Sequence, residues 1–264
     1  MSTPDKNSSR EQARKIAKSQ IKADKRSGAF ARWGIVGLAA VLILAIAFFI
    51  WFTNRPAGPA KGPANFSSSG GILFNSDKNV TKTSATTVKP DTKHALGSKG
   101  TNGKVKLTMY VDFMCPACGA FEKANSATIK SLLDQGKVEV EYHPIAILDR
   151  MSNGTNYSTR ALNAVACVAN QSPENAYSMI SVLYANQPEE NSDGLDDNKL
   201  ASLGKQASGK DISKCVKNQT YKSWTKVVSQ NSIDSGISGT PTIYINDKQW
   251  DGKTPLAKAV AEAK

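Results

Sequence analysis

The chain has 264 residues, enough for one full-size domain with appendages or for two small domains. It is 40% hydrophobic and 21% charged, which excludes a collagen-like or wholly disordered chain. Lys and Arg number 34 against 22 acids, a net +12, and residues 1–32 alone carry +6 from nine bases and three acids. Charge concentrated this way describes a basic tail, not a nucleic-acid-binding domain. Four cysteines, Cys115, Cys118, Cys167 and Cys215, are too few for a disulfide-built miniprotein. Two histidines, His94 and His143, argue against a His-based metal site.

From Trp33 to Phe52 run twenty consecutive residues without a charge. As a helix rising about 1.5 Å per residue they span about 30 Å, the thickness of a hydrocarbon core. Trp33 and Trp51 stand at the two ends, where aromatic rings favour the lipid–water boundary. A buried core helix fits less well, because core helices rarely lack a polar face for five turns. Nine bases precede the span and only Arg55 and Lys61 closely follow it, so the N-terminus is expected in the cytoplasm and the rest outside. The run is longer than the usual signal-peptide core of about 7–15 residues, no A-x-A follows, and no Cys follows closely. The expectation is therefore an uncleaved single-pass signal anchor. Residues 1–32 then read as a juxtamembrane cytoplasmic tail touching anionic headgroups, with no nucleic acid as partner.

Residues 53–70, rich in Pro, Gly and Ser, read as a flexible linker. Gly71-Ile72-Leu73-Phe74 opens a first short strand, and a polar stretch runs on to about Gly103. No internal repeat is apparent. Lys104–Phe113 alternates and then turns wholly apolar, as a strand with one buried end does. Cys115-Pro116-Ala117-Cys118 follows directly. Phe121, Ala124, Thr128 and Leu132, with Ile129 and Leu133 beside them, give helical spacing up to Gly136, a C-cap residue. A second strand, Lys137–Leu148, comes next.

Residues 155–235 are helical in character. Ser172 with Pro173 starts one helix, and Asp211 caps another that carries Cys215, Tyr221 and Trp224. Gly236-Ile237-Ser238-Gly239-Thr240-Pro241 is a turn into a β-branched strand, Asn246-Asp247 a hairpin turn, and Thr254-Pro255-Leu256 the start of a last helix. A strand–CxxC–helix–strand unit and a ββα unit make a thioredoxin-like α/β core. The helical block between them is an inserted domain.

Two cysteines three apart at a strand-to-helix junction can close a small disulfide ring. The first then sits at the helix N-terminus, where unpaired N–H groups and the macrodipole favour its thiolate. Half of a zinc site is the alternative, with Cys167 and Cys215 as further ligands, but these two are isolated in sequence. The pattern points to a redox-active disulfide, Cys115–Cys118, with no metal or other cofactor. Asp112, three residues before Cys115, is placed either to shuttle a proton to Cys118 or to act as a solvated or capping acid. His143, before Pro144, reads as structural. All four cysteines follow the apolar span. If the CxxC takes one pair, Cys167 and Cys215 remain for a structural disulfide that needs an oxidising compartment, or for two free buried thiols.

Asp112–Phe121, followed after the helical block by Gly236–Asp247, resembles the DsbA-like branch of thioredoxin-fold proteins. The nearest likeness is to membrane-anchored disulfide-forming proteins of Gram-positive bacteria, particularly actinobacteria, over roughly residues 71–264. The resemblance implies a thiol–disulfide oxidoreductase that oxidises cysteines in secreted or cell-surface proteins. It implies that Pro241 is the family's cis-proline, preceded by Thr240, facing the disulfide and pairing with the substrate backbone. It also implies a membrane partner that reoxidises the pair, often of the vitamin K epoxide reductase type. Ala117 departs from the pattern: strongly oxidising members carry His there, whose positive charge favours the thiolate. That leaves a reductase or isomerase direction open, and a non-enzymatic binding module is the rival from another class.

Overall fold

The computed structural model describes residues 58–76 and 79–263, together with residues 15, 38 and 41–48. The chain divides into two units, residues 1–56 and 57–264. In the first unit the expected span Trp33–Phe52 lies largely outside the described residues. Val41 to Phe48 are helical with exposed apolar side chains. Among the described residues no helix is long and apolar enough to cross a membrane.

The second unit is built on a six-stranded sheet. Its strands are β2 (Ile72–Ser76), β3 (Asn79–Val80), β5 (Val105–Val111), β6 (Val138–Pro144), β7 (Thr242–Ile245) and β8 (Lys248–Gln249), in the order β3-β2-β6-β5-β7-β8. Only β5 and β6 are parallel, from Val105↔Val138 to Val111↔Pro144, so a crossover must join them. That crossover is α1 (Pro116–Asp134). It buries Cys118, Phe121, Glu122, Ile129 and Leu133, a face turned slightly from the one the apolar spacing marks, with Glu122 inward and Ala124 outward. Gly136, at φ +64°, ends the helix, and its N–H bonds the Leu133 carbonyl.

Between β6 and β7 lie α2 (Tyr157–Gln171), α3 (Ala176–Ala185), α4 (Asp197–Ser208), α5 (Ser213–Lys217) and α6 (Lys222–Asp234). The helix expected from Asp211 through Trp224 is two helices, because the chain turns at Gln219, φ +46°, between α5 and α6. The Asp211 carboxylate accepts the Ser213 N–H at 2.8 Å. Pro173–Asn175 forms a 3₁₀ turn before α3. The centre of the block is α2, buried from Tyr157 to Ala169. Its Ala161, Ala164, Ala166 and Ala169 let neighbouring helices close in on every side. Arg160, buried on the same helix, donates to the carbonyls of Thr155 and Leu195 and pairs with Asp197 at 3.1 Å. Cys167 of α2 is disulfide-bonded to Cys215 of α5 across a Cα separation of 6.0 Å. Helix α7 (Leu256–Glu262) closes the chain.

The structure differs from the sequence reading at residues 53–70. From Ala60 onward this segment is packed against the helical block rather than free. β1 (Ala60–Lys61) pairs with β4 (Thr87–Val88). Phe66 is 1% exposed, its ring edge-on to Trp224 at 4.9 Å. Gly62 lies so close to Trp224 that a Cβ would sit 2.6 Å from Nε1. Asn65, at φ +70°, donates to the Ala169 carbonyl at 2.8 Å, and Asn170 accepts the Ala64 N–H. The Pro–Gly composition supplies turns, and one aromatic anchor overrides its polar character.

The disulfide joins residues 48 apart, and in the chain-entropy account closing such a loop contributes roughly 4 kcal/mol. Cys167→Ser is expected to lower the midpoint of thermal unfolding by about 10 °C while the chemistry of Cys115 and Cys118 continues. Calorimetry of the variant, with a thiol assay of the native protein, checks it.

Candidate active site

β5 delivers the chain to α1 through Asp112, Phe113 and Met114, all buried. Cys115 is the N-cap of α1, with extended φ −73° and ψ 116°, and Pro116 occupies the first helical turn. A missing N–H costs nothing there, and the fixed φ of proline suits the helix. The Cys115 carbonyl accepts the N–H groups of Cys118 and Gly119 at 3.0 and 3.2 Å. Its sulfur therefore stands at the positive end of a 19-residue helix. Cys118 lies one turn in. Both side chains are buried, Cys115 at 6% exposure and Cys118 at 1%, while Pro116 and Ala117 between them face solvent.

The two thiols, both reduced, have opposite acidities. The pKa of Cys115 is pulled down to about 6. The largest cause is the hydrogen bond from the Cys118 thiol; burial works against it, and the Thr240 side chain and the N–H groups of Cys118 and Ala117 add support. Cys118 is pushed far above the ordinary thiol range, first by burial and then by the bond to, and charge on, Cys115. A negative charge in this pair belongs on Cys115.

The Thr240–Pro241 peptide bond is cis and lies just before β7. Because β7 pairs with β5 through Tyr110↔Thr242, this loop and the CxxC share one end of the sheet. As a thiol, Cys115 donates to the Thr240 carbonyl at 3.2 Å.

Asp112 is wholly buried, and its carboxylate accepts four hydrogen bonds. Oδ1 takes the Met114 N–H at 2.8 Å and the Ser158 hydroxyl at 2.6 Å. Oδ2 takes the N–H groups of Ile147 and Leu148 at 2.9 and 3.0 Å. Burial lifts its pKa to about 6, and these donors hold it from rising further. Its backbone N–H points at the Cys118 sulfur at 3.5 Å. The carboxylate is thus buried among N–H and hydroxyl donors rather than solvated. His143 is 2% exposed, stacked on Tyr110 at 4.6 Å and 3.3 Å from Glu141.

A family model described as thioredoxin (Thioredoxin_4) matches residues 89–261. The chain belongs to the thioredoxin family. Within it the likeness is to DsbA-like proteins. The reduced disulfide bond oxidoreductase DsbG of Mycobacterium tuberculosis is 30% identical, with a TM-score of 0.55 over 65% of this chain and 84% of that one. Oxidised DsbA of M. tuberculosis is also 30% identical, with a TM-score of 0.54 over 65% of this chain and 89% of that one. Among curated proteins, the serine/threonine-protein kinase PknE of M. tuberculosis is 30% identical over 153 residues. That match takes in 55% of this chain and 26% of the kinase, so the chain spans about a quarter of the length of the curated relatives it matches.

In this family member the fold brings Cys115, Cys118, Thr240 and Pro241 to one place and sets Asp112 beneath them. Cys167 and Cys215 stand apart in the helical block. Sequence reasoning missed Gln187, which follows α3 and donates from Nε2 to the carbonyls of Cys115 and Phe113 at 2.8 and 3.1 Å. Its Oε1 occupies the space a Cβ at Gly119 would need, so Gly119 admits the clamp. It also missed Tyr184, whose hydroxyl reaches the Asp112 carbonyl at 3.5 Å. Neither carries a local signal, since both come from a segment remote in sequence.

Alkylation of the reduced protein should show a midpoint near pH 6 at Cys115. A thiol whose folded value is depressed stabilises the fold above its unfolded value and loses that contribution as pH falls through the folded one. Thermal stability of the reduced protein, relative to Cys115→Ser, should therefore rise between about pH 6 and pH 9. A flat difference, or an alkylation midpoint at 8 or above, contradicts the charge assignment.

Proposed function

We propose that this chain is a membrane-tethered thiol–disulfide oxidoreductase that introduces disulfides into secreted or cell-surface proteins through Cys115 and Cys118. The observation that carries the reading is the placement of the two thiols at one helix N-terminus, with Cys115 against the cis Thr240–Pro241 peptide. In the oxidised form a substrate thiolate attacks Cys115 Sγ. The Cys115–Cys118 bond breaks, and Cys118 leaves with the electron pair and takes up a proton. A second substrate thiolate then attacks the substrate sulfur of the mixed disulfide and expels Cys115 as a thiolate. The substrate gives up two electrons and two protons, and the cysteine pair takes up the electrons. Because the pKa of Cys115 is depressed, its thiolate is a good leaving group and its departure favours substrate oxidation. Thr240 and Pro241 hold the substrate strand across Cys115. The disulfide is itself the redox centre, so no prosthetic group enters.

We assign residues 1–32 to the cytoplasm, 33–52 to a transmembrane anchor and the thioredoxin-like domain, residues 71–264 with its helical insertion at about 155–235, to the extracytoplasmic side. Charge asymmetry, the uncharged run and a disulfide that needs an oxidising compartment support this. The oxidant is supplied by a membrane reoxidase, for which the vitamin K epoxide reductase type is the family's suggestion. Ala117 adds no positive charge near Cys115 and favours a second reading, a reductase or isomerase.

Cys118→Ala made in cells should accumulate covalent adducts through Cys115, visible on non-reducing gels, and Cys115→Ala should accumulate none. Adducts forming equally well through residue 118 would reverse the nucleophile. A reduction potential near −270 mV would overturn the oxidase direction. For the topology, protease added to intact spheroplasts should digest the CxxC domain and spare an epitope at the N-terminus; protection of the domain contradicts the tether.

A further inference from the structure

From Lys205 to Lys226 the chain holds six lysines, Lys205, Lys210, Lys214, Lys217, Lys222 and Lys226, and one acid, Asp211. Five of the six are exposed and Lys222 is half-buried. Lys205, Lys214 and Lys217 lie in the last turns of α4 and α5, where a cation complements the helix dipole. That role leaves their ammonium groups in water. The basic partners of ion pairs among the described residues are Lys106, Lys130, His143, Arg160 and Lys258, so none of the six is paired.

The fold draws these lysines to one end of the helical block, the C-terminal end of α2. A Cβ on Gly204, near the end of α4, would meet Ile212 and Val168. Cys215 of α5 is bonded to Cys167. β1, with its exposed Lys61, enters at the same end, where Asn65 and Ala64 bond Ala169 and Asn170. Two acids stand among these cations: Asp211 in the field of Lys205 and Lys217, and Glu174 in that of Lys210 and the exposed Lys82. Eight lysines therefore face two carboxylates. The CxxC lies at the other end of α2, where Ser158 reaches Asp112. Along the helix axis Ser158 and Ala169 are about 16 Å apart. Helix α6 runs the same way, from Lys222 to Asp234 and on to the turn before Thr240 and Pro241.

We propose that this lysine end of the helical block docks on anionic lipid headgroups and so turns the CxxC away from the membrane surface. The proposal rests on the membrane-tether reading of residues 33–52. Two observations select lipid over an acidic protein. The first is chain length. Residues 53–59 alone link the proposed anchor to Ala60. Fully extended at about 3.3–3.6 Å per residue, they reach at most about 25 Å. β1 is thereby kept close to the headgroups, and β1 belongs to the lysine end. The second is the form of the charge. Exposed lysines on several elements are compact, mobile point charges, suited to a fluid array of phosphates rather than to one fixed geometry. Each adds attraction within a screening length of about 8 Å at physiological salt. Docked this way, the domain presents Cys115 to arriving substrate. Because the contact is ionic and reversible, the domain can tip off the surface to meet a membrane reoxidase.

The test is amine footprinting of the full-length protein in vesicles of phosphatidylcholine, with or without about one third phosphatidylglycerol. A brief dose of a water-soluble acetylating reagent is followed by mass spectrometry. At about 0.1 M salt, Lys210, Lys214, Lys217 and Lys226 should react about threefold or more slowly in the anionic vesicles. The exposed Lys99, Lys137 and Lys253 should react alike in both. Protection should vanish at about 1 M salt, where the screening length falls to about 3 Å. Cys115 should alkylate with a neutral maleimide at one rate in both vesicles. Replacing the four protected lysines together by Glu should abolish the lipid dependence at Lys61 and Lys205. Equal lysine reactivity in the two vesicles overturns the proposal and leaves an acidic protein as the partner to seek, and shielding of Cys115 by the anionic lipid overturns it as well. Flotation with phosphatidylcholine vesicles at about 1 M salt reads the anchor by itself. A chain that does not float there strikes the tether reading. The lysine face is then read by flotation with the anionic vesicles at about 0.1 M salt, and a chain that floats with neither overturns the docking.

Discussion

The active end of this molecule hangs on one buried carboxylate. Asp112 gathers an N–H from the loop before α1, two N–H groups from the segment after β6, and the Ser158 hydroxyl from the start of α2. A carboxylate without water is costly, and four donors are what make it tolerable. The constraint works in both directions. The donors come from three parts of the chain, so satisfying Asp112 holds them together, in addition to the β5–β6 pairing that already brings two of them side by side. The backbone of the same residue then addresses the cysteines: its carbonyl accepts the Cys115 N–H at 3.1 Å and its N–H meets the Cys118 sulfur.

The chemistry follows from where that anchoring leaves the two sulfurs. Cys115 is capped by helix N–H groups and bonded by the neighbouring thiol, so charge is favoured there. Cys118, one turn deeper, is walled in by the core. The difference between the two environments gives direction to bond breaking, because one sulfur is built to carry charge and the other to carry a proton. The Ala117 side chain takes no part in this; only its backbone N–H does. The depression at Cys115 arises without a positive side chain, from hydrogen bonds and the helix terminus alone.

Much of this was legible in the sequence, and the reason is that it is local. A strand pattern running into Cys-Pro-Ala-Cys, followed by helical spacing and a terminating glycine, depends on neighbours a few residues apart. So does the turn before Thr240-Pro241. The misreadings are non-local. Residues from Ala60 to Gly70 have the composition of a spacer, yet Phe66 finds Trp224 more than 150 residues away, and a Pro–Gly chain is well suited to following a groove. Glu122 carries no sequence signal of its own, because its inward orientation goes with a tyrosine of another strand. Gln187 and Tyr184 could be assigned nothing until α3 was placed over α1.

That placement changes how the inserted helices should be understood. They contribute Ser158 to the Asp112 carboxylate, Gln187 to the carbonyls beside Cys115, and Tyr184 to the wall next to Cys118 and Glu122. An active site that borrows three side chains from an insertion can be only as rigid as that insertion. The helical block is held by a nearly all-buried α2, by Arg160 satisfied within its loop, and by a disulfide tying α2 to the short α5. Helix α5 has five residues, too few to be stable by its own propensity. The Cys167–Cys215 bond fixes it to the helix that also presents Ser158. The structural disulfide and the redox pair are thus linked through one rigid element: α2 carries Cys167 on one turn and, at its first turn, the hydroxyl that completes the carboxylate beneath Cys115.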